Sequence, residues 1–361
     1  MTVTRPAAPR HAWLDLARFA CAMAVVMYHY FTHAIDRNTA GVGVEHIPVL
    51  SRISDYGYLG VDFFFVISGF VIFASAMHRT PGGFAASRIV RLWPAFIACM
   101  SLTALTAMML SHAPVTPARW LANISFFPEA FGEAPMDLVY WTLEIEIFFY
   151  ILIFATIMLG WIERPHRLVL AGLVITGMAA VARISLPIFG THGAYFVAGM
   201  ALSLLYRNPN DRLAAGGFAL ASAAALFDLY HRAGIQQRDD MLHDQWGAVA
   251  VVAAGLALFV AMRSADIRGS ATTQRLGALT YPLYLLHAQI GYMIFKTWQT
   301  PDNRFWMTPL VIAAMIALAY AVNRLVEQRP QALWKALAAR WIAQPLDRAG
   351  GRAVPAYPAG A

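Results

Sequence analysis

Charge is what this sequence is short of. Only 13% of its 361 residues are Asp, Glu, Lys or Arg, about half the share of a soluble domain. With 59% hydrophobic residues and a mean hydropathy of +0.54, that excludes an ordinary soluble chain and leaves a polytopic membrane protein. Cysteine is scarce too. Cys21 and Cys99 both lie in apolar runs, which excludes a disulfide framework and a four-thiolate metal site. The first apolar run is long, carries Arg18, and is followed by no small-residue cleavage site. It reads as a retained helix, not a signal peptide. The two halves share no repeat, and neither end reads as a soluble domain.

Apolar stretches of helix length predict an all-α fold of about ten transmembrane helices. They cover 13–33, 57–77, 92–111, 138–161, 168–182, 191–206, 213–230, 246–262, 276–298 and 305–323. Residues 1–12 form a basic N-terminal tail, 13–330 the transmembrane domain, and 331–361 a second tail, helical at first and disordered at its end. Ten crossings put both termini on one side. Of the Lys and Arg residues in loops and tails, only Arg37, Arg52, Arg119, Arg232, Arg238, Lys296 and Arg304 then face the opposite side. The positive-inside rule makes the arginine-rich side, with both termini, cytoplasmic. The net charge of +7 is thereby a topology signal and not a nucleic-acid footprint.

Leu14 to Tyr30 carries Arg18 and His29 within one apolar helix. Eleven residues span about 16.5 Å of rise and a little over three turns, so both side chains share a face at two depths. A buried charge is costly and by default faces a bundle interior or a wet cavity. Depths estimated the same way put His29, Asp62, Glu144 or Glu146, and His287 in the outer half, with Trp141, Thr142, Tyr281 and Tyr284. Arg18, Arg88 and Arg91 form a cationic track below. A carboxylate beside a histidine fixes its tautomer and raises its basicity, which suits deprotonation of an alcohol. Guanidinium groups at the cytoplasmic end suit a phosphorylated donor. The pair His29 and His33 has the i, i+4 spacing of a metal clamp but no third ligand at defined spacing, so no metal is expected. Ser68 and Gly69 fit either a tunnel wall or a close helix contact. The aromatic loop 112–137, with Trp120, Phe126, Phe127 and Phe131, reads as a lid or as an interfacial anchor.

These residues stand in recurring order. Arg18 and His29 follow an LDLAR opening, and Gly60 to Phe70 reads GVDFFFVISGF. Arg88, Arg91, Trp93 and Pro94 precede the third apolar run, Trp141-Thr142-Leu143 leads to Glu146, and Thr280, Tyr281, Tyr284 and His287 come late. Across Leu14 to Pro330 the chain resembles the acyltransferase-3 family of membrane-bound O-acyltransferases, and looks most like the branch that acetylates exopolysaccharide or lipid-linked sugars. Thr280 stands where serine is usual. Glu327-Gln328-Arg329-Pro330 carries one residue more than the family's Glu-basic-Pro ending, so the resemblance assigns Glu327 no role. It favours Glu146 over Glu144.

The resemblance implies a multi-pass protein of the bacterial inner membrane with no tightly bound cofactor. Acetyl-CoA or another acyl-CoA would be the co-substrate, and a saccharide or lipid-linked glycan the acceptor. His29 would be the base, or else a transient acyl carrier, oriented by Asp62 or Glu146. Arg18, Arg88, Arg91 and Ser68 would hold the donor, and Trp141, Thr142, Tyr281, Tyr284 and His287 would line the site. The alternative from the residues alone is a secondary transporter with an Arg/His/Asp/Glu relay. Its usual repeats and paired broken helices are not seen.

Overall fold

A run of apolar residues in lipid satisfies its backbone only by coiling. Accordingly, every element among the described residues is helical. The structure is a computed structural model describing residues 12–111, 114–182, 192–237, 244–265 and 269–350. The long helices are α1 (Ala12–Tyr28), α2 (Gly60–Ala76), α3 (Pro81–Leu110), α4 (Trp141–Met158) and α5 (Pro165–Ala182). They continue as α6 (Gly193–Arg207), α7 (Arg212–Gln237), α8 (Gln245–Ala261), α9 (Ala271–Trp298) and α10 (Arg304–Val322). Each overlaps one predicted run. Among the described residues six stretches are long and apolar enough to cross a membrane: Pro48–Ala76, Pro81–Leu110, Leu138–Met158, Arg212–Ala233, Gln245–Ser264 and Arg304–Gln328. The remaining four helices, α1, α5, α6 and α9, do not qualify on those grounds. α1 carries Asp15 and Arg18, α6 has only 15 residues, and α9 is diluted by polar groups along its length.

The largest departure from the sequence reading is α3. It begins 11 residues before the predicted run because Thr80 caps it, its hydroxyl accepting from Gly83 N at 3.1 Å, and Pro81 pre-sets the first turn. Arg88 and Arg91, expected in a loop, are therefore helical and held at fixed rotation. Aromatics of the loop pack on α3 or face outward. Phe126 stacks on Phe96 with ring centroids 4.1 Å apart, Trp120 donates to Ser101, and Phe131 is exposed.

The centre is α6, buried from Gly193 to Leu205. It crosses α2 at a contact without side chains. A Cβ on Gly69 would meet Phe196 O at 2.2 Å, and one on Gly199 would meet Val66 O at 2.0 Å. Gly69 thus serves close packing. The chain after α10 continues through a π-helical turn, Asn323–Gln328, into α11 (Gln331–Ala338). A further π turn, Ala339–Ala343, and Gln344–Ala349 then fold back against α3, where Ala338 and Ala343 pack on Ala86.

Replacing Gly69 by Val forces two backbones apart and is expected to destabilise the fold by about 1–3 kcal/mol, the usual cost of overpacking. Thermal unfolding of the purified variant reads this as a lowered midpoint; an unchanged midpoint contradicts the crossing.

Candidate active site

Four helices each turn one stripe of residues toward a common cavity of about 890 Å³. From α2 come Val61, Phe64, Phe65, Ser68, Val71 and Ile72, a helical repeat that leaves Asp62 out. From α4 come Thr142, Leu143, Glu146 and Tyr150, and from α9 Gly277, Ala278, Thr280, Tyr281 and Tyr284. The α3 stripe includes Arg88 and Arg91, and Arg18 enters from α1. Rotation on α4 also separates the two glutamates. Glu146 follows Thr142 by one turn, whereas Glu144 is half-buried on another face and does not line the cavity.

The cationic groups are spaced around this cavity. Arg88 lies over the Tyr150 ring at 5.6 Å and the Phe84 ring at 5.7 Å. Arg91 lies over Tyr281 at 5.4 Å and reaches Glu327 Oε1 at 3.4 Å. The Arg18 guanidinium makes no hydrogen bond to a described residue; Glu146 and Tyr150 are within electrostatic reach of it. Glu146 itself accepts from Tyr150 OH at 2.7 Å and Ser68 Oγ at 3.1 Å. Glu327 also accepts from Asn323 Nδ2 at 2.7 Å. The sequence assigned it no role because of the surplus residue. The π-helical turn Asn323–Gln328 is the form such a surplus takes within a helix, and it leaves Glu327 facing the arginine.

One turn beyond Tyr284 on the same face of α9 stands His287, fully buried. Its Nδ1 lies 2.8 Å from Tyr284 O and 3.2 Å from Leu283 O. Two carbonyls accept only, so Nδ1 carries the proton and Nε2 presents a lone pair. That Nε2 is 2.9 Å from His29 Nδ1, which is also 3.0 Å from Val25 O. Both of these partners are acceptors, so His29 Nδ1 carries its proton as well. The lone pair of His29 is then on Nε2. α9 is clamped at this level: Tyr30 OH donates to His287 O at 2.7 Å and Gln289 N to Asp137 Oδ2 at 2.9 Å. His29 opens a π-helical turn, His29–His33, a distortion frequent at functional sites.

This pairing is not a carboxylate–histidine pair. Among the described residues neither expected carboxylate bonds His29. Asp62 lies six residues from Ser68, about 240° round the helix. It is fully buried, accepts twice from Arg232 Nη2 at 3.1 Å, and lies 3.4 Å from His192. Glu146 is committed to the cavity below. His287, expected only to line the site, makes the orienting contact instead. Trp141 also lies aside, 43% exposed with its ring 5.4 Å from that of His192.

A family model described as an acyltransferase domain matches residues 11–324. The chain belongs to the acyltransferase-3 family. It is a membrane acyltransferase with several apolar helices. No curated protein and no solved structure matches it.

In this acyltransferase the cavity and the histidine pair meet at Tyr284. Its ring centroid lies 5.7 Å from that of His287, and its hydroxyl is 2.9 Å from Thr142 Oγ1, both hydroxyls reaching Val139 O. His29 does not line the cavity itself. Tyr281 is fixed by its hydroxyl on Leu92 O at 3.2 Å. Among the described residues no group of three or more His, Cys, Asp or Glu is arranged to hold a metal.

Replacing His287 by Ala removes the acceptor that holds His29 Nδ1–H. Acyl transfer is expected to fall by roughly 10²-fold, at the low end for acid–base groups, with the donor KM unchanged. Equal losses in kcat and in donor affinity would contradict a positioning role.

Proposed function

We propose that the protein is a membrane-bound O-acyltransferase that moves an acyl group, acetyl in the simplest case, from cytoplasmic acyl-CoA to a hydroxyl of a cell-surface or lipid-linked saccharide. His29 is the general base. The observation that carries this reading is the pair of committed nitrogens: both acceptors facing His29 Nδ1 leave Nε2 as the proton-accepting atom. It stands next to a cavity lined by four arginines, Arg18, Arg79, Arg88 and Arg91, in a chain of the acyltransferase-3 family.

The donor enters at the arginine-lined end. Arg88 and Arg91 hold phosphate oxygens, for which guanidinium is suited by its fork of donors. Arg18 holds the donor near its thioester, whose carbonyl continues toward His29, about 16.5 Å further along the same helix. The pantetheine arm runs along the Tyr281 and Tyr284 side toward Thr142. The acceptor hydroxyl approaches His29 from the opposite face of the membrane, where His33 and Tyr292 ring the imidazole at centroid distances of 5.6 and 6.0 Å. His29 Nε2 takes the hydroxyl proton as oxygen attacks the carbonyl carbon. The carbon–sulfur bond then breaks, and the proton leaves with the thiolate as CoA thiol. His287 Nε2 and Val25 O steady the imidazolium between the two transfers without themselves changing charge. Glu146 contributes by holding Tyr150 and Ser68 and by balancing the local excess of arginine.

The sidedness follows from the loop charges, with both termini cytoplasmic in a bacterial inner membrane. A transporter reading does not account for a base with one nitrogen reserved.

Purified His29→Ala is expected to lose transfer from labelled acetyl-CoA by roughly 10²–10⁴-fold while still binding CoA. Arg91→Ala is expected to raise the donor KM and leave some turnover at saturation. Mass spectrometry of surface glycans from cells carrying each form reads the outcome in place. Undiminished acetylation by His29→Ala would contradict the assignment.

A further inference from the structure

The family match ends at residue 324, yet the wall of the cavity does not. Gln331, Lys335, Ala338, Ala339 and Ala343, all from the C-terminal helical segment, line the same space as Arg88 and Arg91. That segment is fastened to the start of α3. Asp347 is fully buried, and its two carboxylate oxygens accept from Thr80 Oγ1 and Gly82 N, each at 2.8 Å. A carboxylate on these groups complements the N-terminal end of a 30-residue helix. The fit is close: a Cβ on Gly82 would meet Ala343 O at 2.2 Å. Trp334 adds a second fastening, its Nε1 donating to Val326 O at 2.8 Å. The inner side of the segment packs on Ala86 and Val90, within a turn of Arg88 and Arg91.

We propose that Gln331–Ala349 is a structural part of the donor site, with Lys335 as a ligand for a phosphate of the acyl-CoA and Asp347 as the latch that holds it there. This rests on the reading of the cavity as the donor site. Three features lead to it. Lys335 is exposed yet lines the cavity. It stands on a helix whose placement relative to Arg88 and Arg91 is fixed by a buried carboxylate. A nucleotide-linked thioester carries several phosphate charges, Arg91 already faces Glu327, and Lys335 adds a cation to the same lining as Arg79 and Arg88. Asp347 touches no substrate; it acts through the helix it holds.

The test uses the full chain in lipid nanodiscs, with CoA, 3′-dephospho-CoA and phosphate-free acetyl-pantetheine as probes. Lys335→Ala is expected to weaken CoA binding and raise the acetyl-CoA KM roughly tenfold, the loss of about one charge-assisted contact, with the thermal midpoint of each variant read alongside. kcat stays within about twofold, acetyl-pantetheine turnover is unaffected, and Lys335→Arg restores most of the affinity. Asp347→Asn is expected to raise hydrogen exchange over 331–349 and the acetyl-CoA KM together. If wild type binds CoA and Lys335→Ala binds it equally well, the inference is overturned while the donor reading stands. If wild type itself binds no CoA, both are overturned. A loss shared equally by CoA and acetyl-pantetheine would show a general distortion and would also overturn the role of Lys335.

Discussion

The hydrogen bond between His287 Nε2 and His29 Nδ1, 2.9 Å long, is the contact on which the chemistry depends. It joins the π turn that follows α1 to α9. It works because His287 has no freedom of its own. Two main-chain carbonyls claim its Nδ1 proton, and its carbonyl accepts from Tyr30. An orienting group that is neutral differs from the carboxylate usual beside a base. It selects the tautomer, but adds no negative charge to a buried region. In a low-dielectric bundle a second buried charge there would need its own partner. Asp62 illustrates the demand: it is balanced by Arg232 and His192.

The cavity below follows a different electrostatic logic. Arginines are collected there with fewer carboxylates among them, Glu146 and Asp15 near Arg18 and Glu327 beside Arg91. Partial pairing keeps the fold stable without a ligand and leaves donors for one that brings phosphate. Tyr284 and Thr142 mark the junction of the two regions. The helices that carry these groups are fixed by contacts that have no chemistry of their own, such as the Gly69 and Gly199 crossing and the cap at Thr80.

Much of this was legible in the sequence, and what was not has physical reasons. Apolar runs located the helices, and the buried charge singled out Arg18, which lines the cavity. Depth along an axis can be counted at a fixed rise per residue. Rotation about it depends on which neighbour each helix meets. Asp62 was set beside the histidine but pairs with Arg232 and His192, and Glu146 was set there too although it lines the cavity with the arginines. α3 was cut short because charge was taken to end a span, whereas Thr80 and Pro81 start the helix earlier. Glu327 was set aside because its motif was one residue out of step, which a π-helical turn absorbs. Lys335 and Asp347 sit in what reads as a polar tail, and only their packing on α3 gives them a place. The alanines Ala338 and Ala343, small enough for that close contact, were the available signal.

The central claim is that His29 keeps its proton on Nδ1 and offers Nε2 to the acceptor. Nitrogen-15 NMR of histidine-labelled protein in bilayers, with the His29 signal assigned by its loss in His29→Asn, reads this directly. The account predicts the Nδ1–H tautomer for His29 in wild type and a mixture of tautomers in His287→Ala. An Nε2–H tautomer in wild type, or a signal at His29 indifferent to His287, would contradict it.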